Sequence, residues 1–176
     1  MTDLEARLRR LEDRVAIADL STRYFLASDF DDYEAIKNAF VENGKFSADG
    51  FESGSTNQEI SDGIRSARSN FGKRTIHTPH YSLVEFVDDD HATGLVGAHL
   101  EISVGGTSVY GAVRYEDAYV RDGEVWKFTS RSMRTIFALP WAEVGESLTS
   151  STPVRWPGGG ASPSGYPDRP EGQVTR

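Results

Sequence analysis

Two of the four histidines of the chain lie in residues 74–81, where the hydrophobic pattern changes. Upstream of this segment apolar residues recur with a period of about 3.6, as in helices, and downstream with a period of about 2, as in strands. His77 therefore lies on the first long predicted strand. Since an imidazole changes its charge near neutral pH, histidine often serves as a general base. We take His77 as the candidate base of a small-molecule active site. A structural core histidine is the alternative, because Tyr81 and Leu83 share its predicted strand face.

His80 raises the question whether the two histidines bind a metal ion together. Residues three apart on a regular strand point to opposite faces of the sheet, whereas the ligands of a metal must converge on one point. A bulge at Pro79 is the local feature that would bring both rings to one face. The spacing favours no metal site, and it predicts that His80 lies on the face opposite His77.

Asp29 is the candidate partner of His77. An amphipathic helix is predicted from about residue 4, and extending it to Asp29 places this carboxylate in line with the buried face. The alternative is that Asp29 caps the next helix, and the local sequence leaves both open. The stripe that defines the predicted buried face consists of Leu4, Leu8, Leu11, Val15 and Ala18.

The composition excludes several classes of protein. A net charge of −8, from 27 acidic and 19 basic residues, argues against binding to nucleic acid or to an anionic membrane surface. The absence of cysteine excludes disulfides, thiolate nucleophiles and cysteine-based zinc sites. Residues 1–10 lack the apolar core of a signal peptide, and no apolar run approaches the roughly 20 residues of a membrane span. We therefore expect a soluble cytoplasmic protein.

The order of the predicted elements indicates an α+β fold. Three helices and a short strand at residues 45–48 precede four long strands joined by short turns, of which Asp122-Gly123 is a strong hairpin signal. Helices packed on a strongly curved antiparallel sheet would form a cone-shaped α+β barrel with an interior pocket. The four strands are expected at residues 74–87, 92–104, 107–120 and 125–137.

The chain is divided by composition into two parts. Residues 1–146 form the predicted domain, whereas residues 147–176 are rich in Pro, Gly and Ser and lack periodicity. The second part is predicted to be a tail that closes the pocket mouth or an arm that crosses to a neighbouring subunit.

Two arginines fall within the last predicted strand. Arg131 alternates with Met133 and Phe137, and Arg134 has the opposite parity. A buried arginine is costly unless it meets a carboxylate or an anionic ligand, so either side chain is a candidate for the pocket. His99 lies in the middle of the second strand and is a further candidate.

Several motifs together resemble the SnoaL-like branch of the nuclear transport factor 2-like (NTF2-like) superfamily. This branch includes scytalone dehydratase, hexachlorocyclohexane dehydrochlorinase and bile acid 7α-dehydratase, and the resemblance covers about residues 11–141. It implies the same cone-shaped fold. The motifs are residues 17–20, 23–29, 75–79 and 119–128 together with Arg131.

The resemblance implies roles for individual residues. Asp29 matches the catalytic aspartate, His77 the catalytic histidine, Tyr24 the active-site tyrosine of the bile acid branch, and Arg131 the active-site arginine of the dehydrochlorinase branch. Ser47 stands where dehydratases of this group place another tyrosine, which weakens the transfer of a two-tyrosine mechanism. The expected substrate-binding residues are His99, Arg134, Phe25, Tyr81, Met133 and Phe137.

The resemblance also implies an activity. The expected protein is a cofactor-independent lyase or isomerase of the dehydratase type, acting on a small hydrophobic hydroxylated or carbonyl substrate of steroid, polyketide or terpenoid type. His77 would remove a proton, Asp29 would stabilise the imidazolium, and Arg131 with Tyr24 would hold the departing group or the oxyanion. The alternative is a non-catalytic ligand-binding or assembly module of the same superfamily. A homotrimer or homodimer is expected in either case.

Overall fold

Three helices and a strongly curled six-stranded sheet form the fold of the computed structural model, which describes residues 2–49, 51–52, 54–69 and 71–166. The strand order in the sheet is β2-β1-β6-β5-β4-β3. This architecture confirms the predicted α+β fold with helices packed on a curved sheet. In chain order the elements are α1 (Asp3–Asp29), α2 (Tyr33–Asn38), β1 (Phe40–Ala48), β2 (Phe51–Glu52), α3 (Asn57–Arg68), β3 (Phe71–Phe86), β4 (His91–Val104), β5 (Thr107–Asp122), β6 (Val125–Pro140) and a 3₁₀ segment (Trp141–Glu146).

Strands β3 to β6 form the predicted antiparallel meander, but β1 joins it in a way that the sequence did not indicate. β1 pairs with β6 in parallel, and its register shifts between Phe40 and Lys45. The turn-like residues 42–44 therefore lie in an irregular stretch within the strand. A parallel partner distant in sequence leaves no local signal, so only the end of this strand was predicted.

The buried face of α1 differs from the predicted one. Leu4 is 73% exposed and Leu11 is 62% exposed, and the stripe to which they belong faces away from the sheet. The face that packs on the sheet carries Ile17, Tyr24 and Phe25. The helix has apolar residues on two sides, and the side with the aromatic rings fills the concave sheet. The predicted burial of the leucine stripe is wrong.

Among the bulges of the sheet, one on β3 and one on β6 change the face that predicted site residues occupy. On β3, Pro79 pairs with Ala98 and Tyr81 pairs with Gly97, so His80 is the extra residue. On β6, Thr135 pairs with Val113 and Phe137 with Ala112, so Ile136 is the extra residue. One extra residue reverses the alternation beyond it, because side chains on a strand have a period of two.

The tail folds back onto its own sheet. Val154 bridges to Ala138 of β6 and to Ser162, and the backbone N–H of Gly165 donates to the carbonyl of Thr135 at 2.8 Å. This return brings Trp156 to the concave side of the sheet. Residues 167–176 of the predicted tail lie outside the described residues.

In the part of the chain that the structure describes, no helix has both the length and the apolar character that a membrane crossing requires.

Candidate active site

Asp29 and His77 meet where α1 ends beside β3. The Nδ1 atom of His77 lies 2.6 Å from Oδ1 of Asp29, and the backbone N–H of His77 donates to Oδ2 at 3.0 Å. A carboxylate accepts at both positions, so Nδ1 carries the proton and Nε2 is left as the basic nitrogen. Asp29 does not cap the next helix, because Asp32 is the N-cap of α2 and accepts from the N–H of Ala35 at 3.0 Å.

The ring of His77 is held in place from one side by Phe25. The two rings are stacked, with centroids 5.3 Å apart and an angle of 17° between their planes. The His77 and Asp29 side chains are 11% and 14% exposed, so the pair is largely shielded from solvent. Because one contact fixes the tautomer and the other fixes the ring plane, Nε2 has a defined direction.

His77 lies in the wall of a cavity of about 630 Å³ between the helices and the concave face of the sheet. A volume of this size accommodates a drug-sized ligand. Apolar side chains form most of the wall, among them Phe46, Leu100, Ile102, Met133 and Trp156. Its polar side chains are those of Tyr24, Ser28, Arg68, Thr75, His77 and Tyr115.

Two tyrosines of the wall remain protonated over the physiological pH range. Burial raises the pKa of Tyr24 to about 12, although the charge of Arg131 acts in the opposite direction. Burial also raises the pKa of Tyr115, again opposed by Arg131. Both phenols are therefore available as hydrogen-bond donors to a ligand.

The comparisons with known proteins agree with this fold. The model of the SnoaL-like domain family matches residues 9–132, which is more than half of the chain. The chain belongs to the SnoaL-like domain family. None of the curated proteins matches the sequence significantly. The family match confirms the predicted NTF2-like superfamily and its cone-shaped fold.

Solved structures similar to this SnoaL-like domain cover most of its length. LinA shares 25% identity with a TM-score of 0.73, over 77% of this chain and 94% of LinA. The hexachlorocyclohexane dehydrochlorinase LinA-type3 from Novosphingobium barchaimii LL02 shares 22% identity with a TM-score of 0.72, over 77% of this chain and 94% of that one. A candidate scytalone dehydratase from Novosphingobium aromaticivorans shares 20% identity with a TM-score of 0.69, over 76% and 90%. The last two likenesses show the fold alone.

The SnoaL-like domain does not bring Arg131 to the cavity wall. The Arg131 side chain is fully buried, and its Nε lies 3.3 Å from Oδ1 of Asp117. The hydroxyl of Tyr119 donates to the other carboxylate oxygen, Oδ2 of Asp117, at 2.8 Å. Burial raises the pKa of Asp117, whereas Arg131 and Tyr119 lower it. The guanidinium carbon lies 4.5, 4.9, 4.3 and 4.5 Å from the ring centroids of Tyr24, Phe25, Tyr115 and Phe128.

The position of Arg131 corrects the expectation that it contacts the departing group. Its nitrogens have no hydrogen-bond partner of suitable geometry, and the surrounding ring faces and the Asp117 charge compensate the cation instead. The sequence indicated that a buried arginine needs a carboxylate or an anionic ligand, and here the carboxylate is present. Arg131 therefore lies behind Tyr24 and Tyr115 and acts on the cavity through them.

Two predicted substrate-binding residues of β3 and β4 lie on the outer face of the sheet. His99 contacts His80 and stacks on Tyr110, because Ala98 and Leu100 occupy the inward positions of β4. Tyr81 was expected to share the face of His77, but the bulge at His80 turns it outward. Its ring covers Gly97, where a Cβ atom would collide with it. Neither His99 nor Tyr81 reaches the cavity, and His80 is on the face opposite His77.

Of the three residues of β6 that were predicted to bind the substrate, one lines the cavity and two do not. Met133 lines the cavity, whereas Phe137 belongs to a separate outer cluster because the bulge at Ile136 reverses its direction. Arg134 also lies outside this cavity, with its Nε 3.6 Å from Oε1 of Glu116. It borders a second cavity of about 530 Å³ next to the tail. Phe25 supports His77 but does not line the cavity.

Several wall residues were not singled out from the sequence. Tyr115 lies on β5 at an inward position. Val113, Tyr115 and Asp117 alternate along the strand with charged residues, and this period of two is the signal that could have identified Tyr115 as inward-facing. Phe46 lines the cavity from β1, whereas Ser47 bonds to Ser132 through its hydroxyl at 3.0 Å. The contributions of Arg68 and Trp156 depend on tertiary contacts that no local pattern indicates.

No group of three or more metal-binding side chains occurs among the residues that the structure describes. The expectation that the protein uses neither a metal nor another cofactor stays a prediction.

Proposed function

We propose that the protein is a cofactor-independent lyase or isomerase of the dehydratase type. The observation that carries this proposal is the contact between Asp29 and His77 in the wall of a largely apolar cavity. LinA, at 25% identity, and the LinA-type3 dehydrochlorinase have the same fold. The name dehydrochlorinase denotes an elimination, which is a reaction that a base in an apolar cavity can promote.

The proposed reaction begins with proton removal by Nε2 of His77. Asp29 stabilises the imidazolium that forms, since it accepts the hydrogen bond from Nδ1. The electron pair of the broken C–H bond forms a double bond or an enolate, and the leaving group departs with its own electron pair. The phenols of Tyr24 and Tyr115 donate to the departing group or to the oxyanion. A departing hydroxide takes a proton from the imidazolium and leaves as water, which restores the base.

The cavity supports a small hydrophobic substrate with a hydroxyl or carbonyl group, of steroid, polyketide or terpenoid type. Its volume fits such a ligand, and its wall offers mostly apolar contacts with a few polar groups. No cofactor is required where the substrate already carries an acidified C–H bond or a leaving group. The proposal includes a cytoplasmic location.

The proposal also includes assembly with further copies of the chain, as a homotrimer or homodimer. The exposed leucine stripe of α1 has a 3.5-residue spacing, and it is flanked by acidic residues on one side and basic residues on the other. If two copies pack these helices in parallel, Arg7 of each copy lies beside Glu12 of the other. The stripe consists of Leu4, Leu8, Leu11 and Val15, and its flanks include Glu5, Glu12 and Asp19 against Arg7 and Arg14.

The test compares His77→Ala and Asp29→Asn with the wild-type protein on a panel of hydroxylated steroids, polyketides and terpenoids. The matched control is His80→Ala, which removes a histidine of the same strand on the opposite face. We expect the first two variants to lose about 10²-fold or more in turnover and the control to keep it. Full turnover in either of the first two variants would show that the pair is not catalytic.

The alternative is a ligand-binding or assembly module without chemistry. Such a module would be supported by an Asp29 carboxylate turned away from His77 or by a collapsed cavity, and the structure has neither feature. Binding of panel compounds without turnover by the wild-type protein would favour this alternative.

A further inference from the structure

We propose that Arg68 forms an anion-binding subsite in the same cavity, and that the ligand is a hydrophobic molecule with a carboxylate group. This inference rests on the proposed function only in sharing its cavity. Arg68 is the last residue of α3, its side chain is 8% exposed, and it lies in the cavity wall with His77. The described residues of that wall include no aspartate or glutamate, and the two carboxylates next to it, Asp31 and Asp29, are bound to Arg68 and His77.

The guanidinium of Arg68 is held by two neighbours. Its Nε donates to Oδ1 of Asp31 at 2.8 Å, and its Nη1 donates to the hydroxyl of Thr75. Asp31 has a positive φ of 57°, and its Oδ1 also accepts from the hydroxyl of Tyr33 at 3.0 Å. The hydrogen bond from Arg68 outweighs burial and lowers the pKa of Asp31, so this partner remains ionised. The orientation of the guanidinium is thereby set before a ligand binds.

Donor groups remain after these two contacts. A guanidinium has about five N–H groups in a rigid planar arrangement, and the two contacts use one on Nε and one on Nη1. Among the described residues, Nη1 and Nη2 make no other hydrogen bond of good geometry, and the Tyr33 hydroxyl, which donates to Asp31, is the other polar group near the guanidinium. Two adjacent N–H groups match the two oxygens of a carboxylate, which arginine binds in a bidentate manner.

The subsite has a fixed relation to the proposed base. Thr75 and His77 are two residues apart on β3 and face the same side, which places them about 7 Å apart along the strand. The short segment 29–31 contacts both the proposed base and the proposed subsite, since Asp29 is bound to His77 and Asp31 is bound to Arg68. A ligand with its carboxylate at Arg68 would present to His77 a carbon several bonds away from that carboxylate.

The test measures binding of acids and of their neutral amides, so that turnover is not needed. The probes are five matched pairs of increasing size, beginning with phenylacetate and phenylacetamide and including 2-naphthylacetate and 2-naphthylacetamide. Binding is followed by calorimetry and by tryptophan fluorescence, to which Trp156 of the cavity wall contributes along with Trp126 and Trp141. We expect the wild-type protein to prefer the acid by about tenfold or more in at least one pair, as a charge-assisted bidentate contact would give.

Three variants separate an anion subsite from a structural ion pair. Arg68→Met should remove the preference for the acid, whereas Arg65→Met, which removes a charge from an exposed position on the same helix, should keep it. Asp31→Asn should increase the preference, because it removes the competing negative charge. A purely structural bridge would make Asp31→Asn and Arg68→Met behave alike.

The outcomes are distinct from those of the proposed function. Equal binding of acid and amide in every pair, no binding of any acid, or an unchanged preference in Arg68→Met would overturn the subsite. The variant His77→Ala should lose turnover and keep the acid preference. A preference that depends on Arg68 in a protein without turnover would leave the subsite standing and refute the enzyme.

Discussion

Asp29 binds His77 twice, through the ring nitrogen with one carboxylate oxygen and through the backbone N–H with the other. The second contact ties the end of α1 to β3 whether or not the imidazole is charged. Asp29 therefore has a structural contact and a proposed chemical role that different substitutions can separate.

Asp29→Asn is expected to keep the fold and lose activity. The amide oxygen can still accept from the backbone N–H of His77, but the amide nitrogen then donates to Nδ1 and moves the ring proton to Nε2. We expect turnover to fall by about 10²- to 10⁴-fold with the free energy of unfolding changed by less than about 1 kcal/mol. Asp29→Ala removes both contacts and should also lower the melting temperature. Equal stability of the two variants would contradict the structural role.

Arg131→Met is expected to destabilise the protein, because it leaves Asp117 buried without its cation. The loss should be about 3–5 kcal/mol, measured by urea unfolding. The double variant Asp117→Asn with Arg131→Met removes both charges and should recover part of this loss. A single variant with wild-type stability and no turnover would instead indicate a direct contact between Arg131 and the substrate.

The ion pair between Asp13 of α1 and Arg121 of β5 is expected to weaken in acid. Asp13 accepts from Arg121 at 2.6 Å and from Trp126 at 3.0 Å. Burial alone would raise the pKa of Asp13, but these hydrogen bonds outweigh it, so the pKa is lower in the folded protein than in the unfolded chain. Its stabilisation is therefore complete above the unfolded pKa of about 3.9 and is lost as the pH falls through the folded pKa. The difference in unfolding free energy between wild type and Asp13→Asn should shrink below about pH 4. Parallel curves over this range would refute the linkage.

Charge at the leucine stripe is expected to break the proposed assembly. Leu8→Glu with Leu11→Glu should reduce the mass measured by light scattering to that of one chain, 19.4 kDa. Glu12→Arg should weaken the assembly, since it places two arginines together, and adding Arg7→Glu should restore it by exchanging the charges. A wild-type monomer, or an assembly insensitive to the two leucine substitutions, would exclude this surface.

The elements that the sequence predicted well are those with local signals. Gly105, Gly106 and Gly123 all have a positive φ, which glycine adopts most easily. These glycines therefore mark two of the turns in the sequence, and the turns define where β4 ends, where β5 begins and ends, and where β6 begins. The partner strand of β1 and the side of α1 that packs inward depend on contacts between distant residues. The family motifs predicted that Asp29 and His77 meet, whereas the helix phase that aligned Asp29 with the leucine stripe relied on a face that is exposed.

The misplaced site residues have a shared cause. Strand alternation assigned Tyr81 and Phe137 to the cavity, and a single extra residue in each strand, His80 or Ile136, reversed the assignment. A bulge has weak local sequence signals because the hydrogen bonds that define it are made with another strand. Arg68 was missed for a related reason, since Asp31 and Thr75 position it only after the chain has folded.

The return of the tail separates ligand selection from the proposed chemistry. The family match ends at residue 132, yet Trp156 and Pro157 form part of the cavity wall. If a ligand occupies this cavity, substitutions at Trp156 and Pro157 would change its fit and leave Asp29 and His77 in place. Replacing this part of the tail offers a route to new selectivity that leaves the proposed base and its partner unchanged.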